Sequence, residues 1–551
     1  MADFDYIIVG SGSAGSVVAN RLSADPAMRV ALIEAGPSDR RWPTNLKTLM
    51  PVGNIFLLPH AKYNWQHSLS GNAAVGQRTI NFPRGKLFGG CSAINGGVYI
   101  RGQRQDYDDW EASGVHGWSY DDVLPAFRAM ENYAGPESAV HGTGGELDVQ
   151  KPRGVNPLSE AFVAAAVEAG HRANSDFAGD AADGFGRYDL NQRNGTRLSS
   201  ARAFLHPAMK RPNLTTFAET LVRRIVIDRG RAVAVETGSG ATRRTLTAGR
   251  EIILCGGAIN SPQLLLLSGI GPEAHLREMG IPVVHPLPGV GANLQDHPTV
   301  HIAMANPSAE SYALSSRSLP RIVASPFRYL FRRDGMLASN VAEAGGFVAV
   351  DGGTRPDIQM TFLVGLKSNA RVIPSTHGYM VLIQLLRPRS AGSVRLASAR
   401  PEDKPVIAPN FFAAPEDMAT LIAGFCEARR IIAEPALAAM TGEEIEPGAA
   451  VQSDAEIEAA LRASVNTAYH PTGTCRMGAE DDPMAVLDSR LRVRGIAGLR
   501  VVDASSMPSI ISGNTSAATM MIGERAAGFI RADRLTTNFY PDGIARERRP
   551  R

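Results

Sequence analysis

"FDYIIVGSGSAGSVVANRLSADPAMRVALIEAG", residues 4–36, decides the fold. The run from Phe4 to Val9 is apolar, β-branched and aromatic, the pattern of a buried parallel strand. Gly10, Gly12 and Gly15 follow in G-x-G-x-x-G spacing, with Ser13 and Ala14 between them, and a helical stretch begins there. A second strand ends at Glu34 and Ala35. The glycines of such a βαβ unit permit a tight turn, close approach of a pyrophosphate, and packing of helix on strand. The helix N-terminus then faces the phosphates. Glu34 is placed to accept hydrogen bonds from an adenosine ribose, and its charge repels a 2′-phosphate. The motif alone leaves NAD and FAD both open.

Outward from that unit, 551 residues exceed one ordinary core, so two domains are expected. The composition is globular, 44% hydrophobic and 20% charged. A net charge of +3 without a long basic stripe argues against a nucleic-acid partner. Four cysteines without C-x-x-C spacing argue against a disulfide framework or a metal centre, and fit a reducing compartment. The chain enters its first strand almost at once, with no signal-like segment, and lacks a run of roughly 18 apolar residues. A cytoplasmic protein is expected, with peripheral contact at an inner membrane left open.

The stretch "FPRGKLFGGCSAINGGVYIRG" (82–102) is rich in glycine, which suggests backbone lying against a flat or phosphate-bearing ligand. Residues 213–254 read as β-rich, and "GAINSPQLLLLSGIGP" (257–272) as a loop and a short apolar helix. Residues 306–460 change character: "DIQMTFLV" (357–364) and "YMVLIQLL" (379–386) suggest an antiparallel sheet, joined to helices such as 415–432. The expected plan is α/β. A Rossmann-like dinucleotide-binding domain spans 1–305, an inserted α+β substrate domain 306–460, and a return to the first domain 461–531. A tail over 532–551 is expected to be disordered.

Four separated stretches carry a resemblance: residues 5–23, "PRGKLFGGCSAINGGVYIRG", "GAINSPQLLLLSGIGP", and the region from "YHPTGTCRMG" (469–478) to "GNTSAATMMIGERAA" (513–527). Together they resemble the glucose–methanol–choline (GMC) oxidoreductases, and most of all the choline-dehydrogenase-like and bacterial alcohol dehydrogenases that use FAD. The resemblance implies that Gly10, Gly12, Ser13, Ala14 and Gly15 hold the FAD pyrophosphate, with Glu34 and Ala35 at the adenosine ribose. It puts Val222 at the adenine. Gly90, Asn95, Gly96, Gly97 and Val98 are implied along the ribityl and isoalloxazine portions, Asp503 and Ala504 near the phosphate–ribityl end, and Asn514 and Thr515 among the cofactor-binding residues. Some members attach FAD through a His in the glycine loop. Ile94 occupies that position here, so noncovalent FAD is expected.

The same resemblance makes His470 the general base and Asn514 its partner. An alcohol gives up a hydride readily only if its hydroxyl proton also leaves, and a neutral imidazole near its ordinary pKa can take that proton. Asn514 can donate to the same oxygen. Its place at the start of the last helix also fits a cap. That helix N-terminus brings positive partial charge to the flavin.

The expected reaction is oxidation of a primary alcohol to its aldehyde by hydride transfer to flavin N5, with a quinone or carrier as acceptor. An O₂-using oxidase, a redox-silent cyanohydrin lyase and a silent flavin binder are the alternatives. No metal is expected. The apolar strands lean toward an uncharged alcohol. Residues 318–337 mix Phe327, Tyr329, Leu330 and Phe331 with Arg321, Arg328, Arg332 and Arg333. They suggest a flap, a helix over the substrate entrance or a lipid contact, with Pro320 and Pro326 limiting any long helix.

Overall fold

A computed structural model describes residues 2–179, 181–238, 243–350, 352–366 and 375–538. Its first sheet is built around the strand Phe4–Val9. Val30–Ile33 lies parallel on one side and Leu214–Phe217 continues parallel beyond it. On the other side runs the long strand Arg244–Leu254, also parallel. That strand serves two partners. Its first half pairs antiparallel with the hairpin Val222–Asp228/Arg231–Thr237. Its second half pairs parallel with Leu499–Val501, from near the end of the chain. Helices cover this sheet, so Val30–Ile33 is buried throughout, and a continuous apolar run is what such a strand requires.

The N-terminal helix Ser13–Leu22 packs along the C-terminal helix Ser516–Asn538. Gly523 makes the approach possible, since a Cβ there would sit 2.9 Å from the Ala14 carbonyl oxygen. The tail expected from 532 is helical as far as Asn538, with the Asp533 carboxylate bonded to Arg490 and Arg500. The rest of it lies outside the described residues.

The second sheet is antiparallel, in the order Glu444–Glu446, Pro298–Ala305, Gly378–Leu385, Ile358–Leu363, Ala344–Val348, Gly184–Arg187. Two of these strands precede 306, so the sheet reaches outside the expected 306–460 span. Gly184–Arg187 is too short and glycine-rich to stand out as a strand, and Pro298–Ala305 follows the first domain with no linker.

Strand alternation divides this sheet into two faces. Val300 and Ile302, Ile358, Met360 and Phe362, and Tyr379, Val381 and Ile383 pack into a core with the helices Pro157–Glu168 and Pro415–Ile432. The alternate residues Thr299 and His301, Gln359, Thr361 and Leu363, and Met380 and Leu382 point the other way. Five of them, Thr299, His301, Leu363, Met380 and Leu382, line the cavity described below. A run such as "YMVLIQLL" therefore turns alternate side chains to the core, and Met380 and Leu382 from the other set to the site.

Candidate active site

A cavity of about 670 Å³ runs from the first sheet to the second. Every residue expected at the site lines it except Gly15, which packs behind the turn. At the first end lies the turn after Phe4–Val9. Gly10 has φ +103°, a conformation that favours glycine, and a Cβ on it would collide with the Cys255 carbonyl. A Cβ on Gly15 would collide with the Gly10 carbonyl. Gly12 differs, because a Cβ there would meet only the Cys255 oxygen, at 3.9 Å. Nothing in the protein needs Gly12 to lack a side chain. The space it leaves opens onto the cavity, at the N-terminus of Ser13–Leu22, where a phosphate fits.

Glu34 is buried at the end of Val30–Ile33. Its carboxylate accepts from the Ser11 N–H at 3.0 Å, the Ser11 hydroxyl at 2.8 Å and the Gly36 N–H at 2.9 Å. Burial raises its pKa and these donors oppose the rise. Asp503 is likewise buried and accepts from Gly257 N–H, Ser505 N–H and the hydroxyls of Ser261 and Ser505. Its carboxylate is satisfied within the protein, so it shapes the loop against the cavity. Ile94 lines the wall beside this region.

At the other end stands His470. Tyr469 before it has φ +65°, and Pro471 follows, so the ring is held on a bent, stiff segment. Asp296 fixes that segment, accepting from the backbone N–H of His470 at 2.9 Å and of His297 at 2.8 Å, and from the Thr467 hydroxyl. Burial pushes Asp296 up to about 6. The His470 Nδ1 lies 3.0 Å from the Nδ1 of His297, and its Nε2 lies 3.1 Å from the Nδ2 of Asn514. Burial depresses the His470 pKa well below the ordinary imidazole range, and His297 and Arg84 depress it further. The ring is neutral at pH 7.

The protons in this network can be assigned from one end. The Tyr188 hydroxyl donates to the Met360 carbonyl at 3.0 Å, so it can only accept from the Gln359 Nε2 at 3.2 Å. The same Gln359 amide donates to the Asn514 Oδ1 at 3.3 Å. That orientation turns the Asn514 Nδ2 donor toward His470. Nε2 of His470 must then carry a lone pair, and its proton sits on Nδ1, donated to His297. A base needs this tautomer, with the lone pair facing the cavity. The helix Ser516–Asn538 begins two residues after Asn514, so the asparagine side chain serves the imidazole and does not cap the helix.

Asp296, His297, Gln359 and Tyr188 were not anticipated. The "QDHP" run (295–298) leads into the strand Pro298–Ala305, and no periodicity marks it. Gln359 stands out only once its strand is known to turn that face to the cavity. Val341, also on the wall, is a β-branched residue at φ +71°. This is a strained conformation.

Two stretches of the chain, 4–299 and 388–523, match the GMC oxidoreductase family profiles. The chain belongs to the GMC oxidoreductase family. An alcohol dehydrogenase [acceptor] of Pseudomonas putida is 45% identical over 533 residues, 96% of this chain and 95% of the relative. The mitochondrial choline dehydrogenase of Homo sapiens is 42% identical, over 96% of this chain and 90% of its own. Among solved structures, pyridoxine 4-oxidase superposes with a TM-score of 0.86 at 31% identity, covering 96% of this chain and 99% of its own. Formate oxidase of Aspergillus oryzae reaches 0.88 at 26%, over 97% and 100%. GMC oxidoreductases bind FAD, and the open turn at Gly12, beside a helix N-terminus and the buried Glu34 carboxylate on the cavity wall, fits an FAD dinucleotide.

Proposed function

We propose that this GMC oxidoreductase oxidises an uncharged primary alcohol to its aldehyde and passes the electrons to a quinone or carrier. The observation that carries the reading is the neutral His470 Nε2, its lone pair 3.1 Å from the Asn514 amide, at the end of the cavity walled by the second sheet. An alcohol hydroxyl approaching both nitrogens from the cavity, and replacing their mutual hydrogen bond, meets an acceptor for its proton and a donor for its oxygen. FAD, when bound, supplies the two-electron acceptor for the hydride. His470 takes the proton on Nε2, and the His297 ring accepts from Nδ1–H and holds the imidazole in place. Asn514 donates to the oxygen throughout. Gln359, Tyr188 and Asp296 keep those atoms aimed.

The charge of the substrate follows from the wall. The cavity's carboxylates among the described residues are Glu34 and Asp503, both at the dinucleotide end. Toward His470 the wall mixes Leu363, Met380, Leu382 and Ala468 with Thr299, His301, Asn466 and Thr467 and with the rings of Trp65 and Tyr469, and Arg84 is the nearby cation. A quaternary ammonium finds no counter-charge there, and an aliphatic or aromatic alcohol loses nothing by burial. Choline is therefore disfavoured here, although relatives of similar identity are choline dehydrogenases. Ile94 offers no nucleophile, so the cofactor is held noncovalently.

The test is anaerobic reduction of the bound flavin by a panel of primary alcohols and by choline, followed by turnover with an artificial acceptor and with O₂. Bleaching by uncharged alcohols and turnover with the acceptor support the reading. Bleaching by choline alone overturns the substrate assignment, and rapid O₂ consumption makes the protein an oxidase. Flavin that stays with acid-precipitated protein overturns noncovalent attachment.

A further inference from the structure

The helix Leu319–Arg332 turns its apolar side outward. Leu319, Val323, Phe327, Leu330 and Phe331 recur at intervals of three and four, which is one helical stripe. Phe327 is 63% exposed, Leu330 62% and Phe331 78%. The opposite side carries the buried Ser325 and Tyr329. Pro326 sits inside the helix, contrary to the limit expected from the sequence, and the helix continues through it to Arg332. Arg321, Arg328 and Arg332 share the flank between the two sides. Arg321 pairs with Glu310 and Arg328 with Asp334, while Arg332 and the nearby Arg317 are exposed and make no ion pair among the described residues.

A second segment extends this surface. Trp42, Leu46 and Phe56 are exposed, among Arg40, Arg41 and Lys47. The two segments flank one hairpin, Gln192–Arg197. Arg197 donates to the Pro51 carbonyl at 2.6 Å, and a Cβ on Gly195, at the hairpin tip, would collide with the Arg333 carbonyl. Phe56 faces outward, whereas its neighbours Ile55 and Leu58 line the cavity. One short helix is thus a wall between this surface and the active-site cavity.

We propose that this face docks on an anionic lipid bilayer. Exposed aromatics and leucines beside arginines form the surface that settles into the interface of such a bilayer, rings among the acyl chains and guanidinium groups at the phosphates. A second copy of the chain fits less well, because a two-fold contact would bring two sets of these arginines into one interface. None of the helices in the described residues is long and apolar enough to cross a membrane, so the contact is peripheral. Docking in this orientation presents the Phe56 wall of the cavity to the source of apolar alcohols and of lipid-soluble acceptors. The proposal does not depend on which alcohol is oxidised.

The test is co-sedimentation of the holoenzyme with vesicles of phosphatidylcholine alone or mixed with phosphatidylglycerol, at about 0.05 M and about 1 M salt, where the screening length falls to roughly 3 Å. Two variants are compared, F327S/L330S/F331S and R317S/R332S. None of these residues lines the cavity, so FAD content and activity on soluble alcohols should match the wild type. The wild type is expected to sediment with phosphatidylglycerol vesicles at low salt, and the apolar variant to lose about tenfold or more in partitioning. The arginine variant is expected to weaken less and to lose most of its salt dependence. Absence of wild-type binding to phosphatidylglycerol vesicles at low salt overturns the proposal, as does undiminished binding by the apolar variant. A wild-type dimer that the apolar variant converts to monomer, with vesicle binding unchanged, would assign the face to self-association and overturn it too.

Discussion

Replacing Gly12 by alanine should separate the needs of the cofactor from those of the fold. Gly12 has φ −70° and ψ −158°, which alanine adopts without strain. The new methyl would meet nothing in the protein closer than 3.9 Å. The apoprotein should therefore keep its stability, or gain about 0.4–1 kcal/mol from a less flexible unfolded chain. The ligand is affected instead, because the methyl occupies the point of closest approach to the pyrophosphate. Losing one charge-assisted hydrogen bond there costs about 1.5–3 kcal/mol, which is ~10- to 150-fold in Kd. Gly10→Ala and Gly15→Ala should behave oppositely, since each drives a Cβ into a backbone carbonyl and must lower the melting temperature of the apoprotein. The assay pairs apoprotein melting with FAD titration by fluorescence quenching. Native FAD affinity in Gly12→Ala refutes the reasoning, and so does an apoprotein melting loss as large as that of Gly15→Ala.

Four other outcomes can be checked directly. His470→Ala should slow flavin reduction by about 10²–10⁴-fold with FAD content intact, and an unchanged rate in the loaded variant would remove His470 from the chemistry. Burial holds the His470 pKa well below the usual range, so the base form is present above that depressed value; kcat/KM should stay level through pH 6.5 and fall only in more acid solution, and an inflection at 6.5 would contradict the burial argument. Gln359→Leu frees the Asn514 amide to turn and should lower kcat about tenfold, the worth of one hydrogen bond, with KM little changed; a change in KM alone would make Gln359 a substrate contact. Burial lowers the His141 pKa, but hydrogen bonds to Asp176 and Glu131 outweigh that and raise it to about 9; its contribution is fully present below pH 6.5 and lost as pH rises through 9, so wild-type stability should fall by up to about 3 kcal/mol across that window and His141→Gln should lose this slope.

The first sheet could be read because its signal is local. A buried parallel strand, three spaced glycines and an acid at the next strand's end lie within one short segment, and each has one physical reason to be there. The match of separated motifs then carried His470 and Asn514. The support behind them was hidden for a geometric reason. Gln359 and Tyr188 lie far from Asn514 in sequence, Gln359 within the strand Ile358–Leu363 and Tyr188 just past the end of Gly184–Arg187, and only the folded chain brings them together. His297 was hidden differently, as one of 12 histidines in a loop without periodicity. The second sheet's limits escaped because Gly184–Arg187 joins it from well upstream. A helix over 318–337 is among the readings its sequence offers; its prolines argue only against a long one, yet the helix runs through Pro326 to Arg332 with Tyr329 buried beneath it.

The order in which the ribosome delivers this chain has a consequence for the pairing of the two terminal helices. The glycine turn that receives the cofactor is synthesised among the first residues, yet the strand Leu499–Val501 and the helix Ser516–Asn538 that complete its surroundings come almost last. Until then the nascent chain exposes one edge of the Arg244–Leu254 strand and the apolar side of Ser13–Leu22. Contacts closed over so long a loop form slowly. The apolar side of Ser13–Leu22 thus stays uncovered for most of synthesis and the strand edge through much of its second half, which is when aggregation competes with folding. The yield of active enzyme in a cell should then respond to elongation speed and chaperone capacity as well as to the stability of the finished protein.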